Sequence, residues 1–111
     1  MMVNFNGFGE NSATFEADSS LTTAGVPVKI SGDGKVSACA SGEAFCGICT
    51  HLREGFATVQ LAGYVTMPAA EKISVGYTNI AAGADGMVSA SGSGREYLVL
   101  DSTQTSVGFI L

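Results

Sequence analysis

The chain has 111 residues, 46% of them apolar and only 14% charged, with a net charge of −5. That length suits one domain with one modest core, and that apolar content excludes a chain disordered by composition. Five scattered basic residues, Lys29, Lys35, Arg53, Lys72 and Arg95, do not supply the concentrated positive field that nucleic-acid binding requires.

No apolar run approaches the ~20 residues of a membrane-spanning helix. Residues 1–7 read MMVNFNG, with no charged start and no apolar centre, which predicts no secretory signal. Three cysteines cannot pair completely within one chain, which fits reduced thiols in a cytoplasm. So low a charge leaves a rather neutral surface, and such a surface tolerates association with neighbours.

Residues 1–12 are rich in Asn and Gly and read as a flexible arm. Phe5 and Phe8 are its candidate anchors on a partner. Residues 13–111 read as a single β domain. In 26–31, Val26, Val28 and Ile30 alternate with Pro27, Lys29 and Ser31. In 58–67, Val59, Leu61, Val65 and Met67 alternate with Thr58, Gln60, Tyr64 and Thr66. In 105–111, Val107, Phe109 and Leu111 share a face. A period of two puts one face on a core and the other toward water. Ala69-Ala70-Glu71-Lys72, after Pro68, has room for one helical turn, too short to bury a stripe. Between the strands lie Ser31-Gly32-Asp33-Gly34, Ala40-Ser41-Gly42-Glu43, Gly83-Ala84-Asp85-Gly86 and Ser91-Gly92-Ser93-Gly94. Turns of this chemistry at this spacing predict a small barrel or sandwich, all-β, with little or no helix.

An internal repeat stands out. Residues 33–48, DGKVSACASGEAFCGI, match residues 85–100, DGMVSASGSGREYLVL, at a constant offset of 52. The match aligns Phe45 with Tyr97 and Ile48 with Leu100. Each copy reads as turn, strand, turn, strand. A duplicated β-hairpin follows, because one hairpin needs a partner to bury its apolar face.

Cys39, Cys46, Cys49 and His51 form the one cluster with metal-like composition, and four such ligands complete a closed zinc site. A straight strand over 44–51 sends Cys46 to one face and Cys49 and His51 to the other, which splits the cluster. A redox CxxC also needs a helix after it to lower the thiol pKa, and none follows Cys49. The repeat carries Ser91 and Leu98 where the first copy has Cys39 and Cys46, which points to packing residues. Asp33-Gly34 and Asp85-Gly86 lack the alternating acids of a calcium loop and read as hairpin turns. Gly92-Ser93-Gly94 lacks the following helix of a phosphate loop. No catalytic set, metal site or cofactor is expected.

Several stretches resemble the head-decoration, capsid-stabilising proteins of tailed phages and prophages. They are Ala24-Gly25-Val26-Pro27-Val28-Lys29, Phe45-Cys46-Gly47-Ile48, Ala57 to Val65, Arg95-Glu96-Tyr97-Leu98-Val99-Leu100 and Val107-Gly108-Phe109-Ile110-Leu111. The resemblance implies a compact, non-enzymatic β protein that binds the outside of a capsid. Its implied partners are further copies of itself, commonly as a trimer, and the major capsid protein. Nucleic acid and membrane are not among them. The implied location is the bacterial host cytoplasm during assembly and then the virion surface. Two rival readings rest on residues alone. One is a small ligand- or carbohydrate-binding β-module with Tyr64, Tyr77 and Tyr97 at a barrel mouth. The other is a zinc- or thiol-dependent protein using Cys39, Cys46, Cys49 and His51.

Overall fold

The computed structural model describes residues 11–111. Phe5 and Phe8 lie outside the described residues, as does most of the expected arm. Its last two positions, Asn11 and Ser12, open the first strand. Five strands come first: β1 (Asn11–Ala17), β2 (Pro27–Gly32), β3 (Lys35–Ala38), β4 (Gly47–Arg53) and β5 (Phe56–Ala62). They close into a barrel of order β1-β3-β2-β4-β5, in which β1 runs antiparallel to β5 and parallel to β3. Five more follow: β6 (Tyr64–Pro68), β7 (Gly76–Ala82), β8 (Val88–Ala90), β9 (Arg95–Ser102) and β10 (Ser106–Ile110). These form a second sheet of order β6-β10-β9-β7-β8. The all-β reading and the barrel are both present. The one helical piece among the described residues is a 3₁₀ turn at Ala84–Gly86, and Ala69, expected in a helical turn, instead forms a β-bridge with Val88.

The duplication runs deeper than the repeat in the sequence. Strands β6 to β10 repeat the order and the pairing sense of β1 to β5. Ala17 meets Val36 in parallel in the first unit, and Ala69 meets Val88 in parallel, 52 residues on, in the second. The ladder Val28–Ala38 and Ile30–Val36 recurs as Ile80–Ala90 and Ala82–Val88. The duplicated hairpins are therefore β2–β3 and β7–β8, with Asp33-Gly34 and Asp85-Gly86 at their tips. The two strands inside each sequence repeat do not pair with each other. β3 and β4 flank β2, and β8 and β9 flank β7.

The register then slips. Ile48–Gln60 and Cys49–Val59 recur as Leu98–Ile110 and Val99–Phe109, at an offset of 50. The connection before β4 is eight residues long, while the one before β9 has four, so the sequence offset of 52 does not carry through. Ile48 corresponds to Leu98 rather than to Leu100. A bulge recurs as well: Thr50 and Leu100 are each skipped in their ladders.

Two positions show why the chain turns where it does. Glu54 and Gly55, at φ 51° and 81°, are the left-handed pair that a tight hairpin between β4 and β5 requires. Gly63, at φ 95°, breaks what reads in sequence as one strand over 58–67. That single residue hands the chain from the first unit to the second. The break changes the expected faces. Gln60 is only 5% exposed, while Leu61 is 38% exposed. Gln60 sits on the outside of the first barrel, where the second unit covers it. Its amide is satisfied there, because Nε2 donates to the Ala62 and Tyr64 carbonyls at 3.0 and 3.1 Å.

Each unit has its own core. Val28, Val36, Cys49, Ala57 and Val59 are fully buried in the first, joined by Leu21. The second holds Val65, Met67, Ile80, Val88, Tyr97, Val99, Val107 and Phe109, and it also takes in Phe45 and Ile48 from the first unit. Phe45 stacks on Tyr97 with ring centroids 5.3 Å apart, and the Tyr97 hydroxyl donates to the Phe45 carbonyl at 3.0 Å. Thus two residues aligned by the sequence repeat are in fact contact partners. The loop that delivers Phe45 is pinned beside it: the Gly42 N–H donates to Ala82 O at 2.7 Å, and the Ala82 N–H donates to Glu43 O at 2.9 Å. Replacing Phe45 by Ala empties the junction of the two units. A loss of about 3–5 kcal/mol is expected for a buried Phe→Ala, measured as a lowered urea midpoint. An unchanged midpoint would show that Phe45 does not join the units.

Candidate functional site

The cysteine cluster was the sequence's best chemical candidate, and the structure takes it apart. Cys49 is buried in the first core, with its Sγ 3.3 Å from the His51 carbonyl, which accepts the thiol hydrogen bond. Cys46 lies just before β4 and packs, half-buried, on the same core. The expected faces are therefore corrected: Cys46 and Cys49 share a side, and His51 leaves it. Cys46 precedes β4 and so escapes its alternation, while the bulge at Thr50 flips the strand between Cys49 and His51. His51 is exposed, with Nδ1 3.3 Å from the Thr50 hydroxyl. Cys39 packs against the second core instead. Among the described residues no group of three or more His, Cys, Asp or Glu side chains lies close enough to hold a metal ion.

Burial pushes all three thiols above their ordinary pKa, Cys39 to about 11. For Cys39, burial is followed by repulsion from Glu43, with Lys29 opposing. Lys29 and Glu43 themselves form an ion pair at 2.6 Å that ties β2 to the Phe45 loop. Each holds the other charged, mainly through that hydrogen bond. Both ends are partly exposed, so the pair fixes the loop's path more than it adds stability.

The three tyrosines do not gather at a barrel mouth. Tyr97 is 3% exposed in the second core, and Tyr77 is 73% exposed on β7. Tyr64 lies across Gly108, donating its hydroxyl to Asp101 at 3.0 Å and accepting from Thr66 at 3.2 Å. A side chain at Gly108 would overlap both Tyr64 and Asp101, so the glycine gives the ring its bed. Tyr64 also borders an open cleft of 430 Å³ between the units, with Thr50, Gln60 and Thr66 along its walls. A smaller space of 120 Å³ is lined by Leu21, Val26, Cys39 and Gly86 among others.

What remains is a surface. Ladder partners on the outer face of the second sheet run Tyr64, Ile110, Leu98, Tyr77. Their neighbours Val65, Phe109 and Val99 point into the core. Sequence reading missed this row, although a signal was there. Tyr97-Leu98-Val99-Leu100 and Phe109-Ile110-Leu111 are apolar at successive positions, and a strand apolar at every position is one with both faces to cover.

The fold is that of a solved phage structure, the head fiber gp8.5 N base of bacteriophage phi29. The likeness has a TM-score of 0.57 at 19% sequence identity and covers 92% of this chain and 93% of that chain. No family model matches the sequence, and no curated protein matches it.

The raised thiol pKa values set a sign for pH dependence. Unfolded thiols ionise near 9, while the folded thiols hold their protons to higher pH. Their contribution to stability is complete below pH 9 and declines as pH rises from 9 toward about 11. With a thiol reagent at pH 8, the native protein should react slowly at Cys39 and Cys46 and not at Cys49, and all three should react once unfolded. Rapid labelling of Cys49 in the native state would contradict this burial.

Proposed function

We propose that this chain is a non-enzymatic structural protein of a phage or prophage particle, one that attaches to the outside of the head. The observation that carries the reading is the fold shared with a phage head-fibre base over nearly the whole of both chains. The residues support it from the other side. The polar groups with the strongest sequence claim to chemistry are dispersed, and the buried thiols are packing groups with raised pKa values. A chain with 14% charged residues keeps its strongest means of recognition in shape and apolar contact.

In this reading the protein decorates or stabilises the shell. It does so as a homo-oligomer, a trimer by the family resemblance, with the major capsid protein as its other partner. Assembly takes place in the bacterial host cytoplasm, and the finished protein sits on the virion surface. Residues 1–12, with Phe5 and Phe8, are the proposed segment that engages the shell. Attachment is tested by mixing the purified chain with empty capsids of the matching phage and sedimenting them. The expected result is saturable pelleting with the capsids, weakened by the double substitution Phe5→Ala and Phe8→Ala. A protein that stays in the supernatant at every concentration would overturn the reading.

A further inference from the structure

The two units carry the same row of outward-facing positions, and the chain treats them oppositely. In the first unit, ladder partners across β1, β5, β4 and β2 are Ser12, Gln60, Ile48 and Pro27. In the second, the ladder partners across β6, β10, β9 and β7 are Tyr64, Ile110, Leu98 and Tyr77, the register of β7 on β9 being two residues off that of β2 on β4. Three places of the first row, Gln60, Ile48 and Pro27, are buried within the same chain, while Ser12 at its edge is exposed. Gln60 and Ile48 are each only 5% exposed, and Ile48 enters the second core. The second row has no covering unit among the described residues. Tyr64, at the junction, is buried, Leu98 and Ile110 are half-buried, and Tyr77 is 73% exposed, with Val75 beside it at 64%.

Composition runs against exposure. The row that the chain buries contains Gln60, whereas Tyr77, Leu98 and Ile110, which it leaves more open, are all aromatic or aliphatic. A solvent-facing sheet surface selects polar residues at alternate positions, and this one does not. We infer that the row Tyr77–Leu98–Ile110 is where a second copy of this chain docks. The occupant follows from the covered row: a unit of this same fold already seats on the equivalent positions, and only another copy supplies one more such unit. A contact between unlike surfaces of identical units closes into a ring where the rotation allows it, and a ring covers this row on every copy. Tyr77, Leu98 and Ile110 line neither of the two cavities described above, and no polar groups converge on them, so a small ligand is not their occupant. The inference rests on the self-association part of the proposed function and names the face that performs it.

The test needs no capsid. Sedimentation equilibrium of the purified full chain should give a mass that is a multiple of 11.2 kDa. Tyr77→Glu should weaken association roughly 10-fold or more, as for an interface anchor. Its far-UV circular dichroism and melting should stay unchanged, because that side chain is mostly in solvent. Ile30→Glu, at a residue 54% exposed on the first barrel, should leave association as it was. The inference is overturned if the wild type is a monomer at the highest soluble concentration, if Tyr77→Glu associates as tightly as the wild type, or if Ile30→Glu dissociates the protein equally. A monomer that still pellets with capsids sinks this inference and leaves attachment standing. An oligomer that ignores capsids does the reverse.

Discussion

Five short strands can close around only so much side-chain volume, and this limit governs the molecule. The first unit encloses Val28, Val36, Cys49, Ala57 and Val59, and its sheet closes fully. At the matching places the second unit has Ile80, Val88, Val99, Val107 and Phe109. Every one of these is as large or larger. Interiors are packed near crystal density, so extra volume must move the backbone. The second sheet accordingly meets itself only at the Ala69–Val88 bridge. The rest of its open side is filled from outside by Phe45 and Ile48. The long loop before β4, the Lys29–Glu43 pair and the hydrogen bonds to Ala82 all serve to place Phe45 there.

Much of this was legible in the sequence, and the failures have physical causes. Period-two alternation and Asp-Gly turns identify strands because pleat and turn geometry are local. The repeat was visible in 33–48 and 85–100, where both copies keep turn residues. It was invisible over β4–β5 and β9–β10, because loop length changes the offset there and the paired residues differ in type. Val59 and Phe109 occupy the same place and share little beyond being apolar. The bulge at Thr50 had no signature either, since a skipped residue is a property of the ladder and not of composition. That one residue decides where His51 points.

The fate of the cysteines shows the same limit from the side of chemistry. Count and spacing suggested four ligands, and straight-strand geometry argued against them. Straight-strand geometry misplaces Cys46, which shares a side with Cys49. What removes the site is the departure of His51 and the separation of Cys39 into the other core. The repeat supports packing, though by a different equivalence from the one the offset of 52 suggests. Val99 stands where Cys49 stands, so a thiol and an isopropyl group fill equivalent pockets. Free cysteine behaves there as a small apolar residue.

Duplication also explains why the molecule has two unlike faces. Barrel closure in the first unit and the bridge in the second leave little free strand edge, which limits edge-to-edge pairing with other chains. Recognition therefore has to come from faces. Fusing two units in one chain covers the outer row of the first and fixes it with polar detail. Gln60 there answers the carbonyls of Ala62 and Tyr64, a geometry that the short link through Gly63 holds in place. The outer row of the second unit has no covalent partner and is built of Tyr, Leu and Ile. Such side chains gain free energy from burial without demanding exact hydrogen-bond alignment. That difference is what separates a permanent internal joint from a surface made to be covered later.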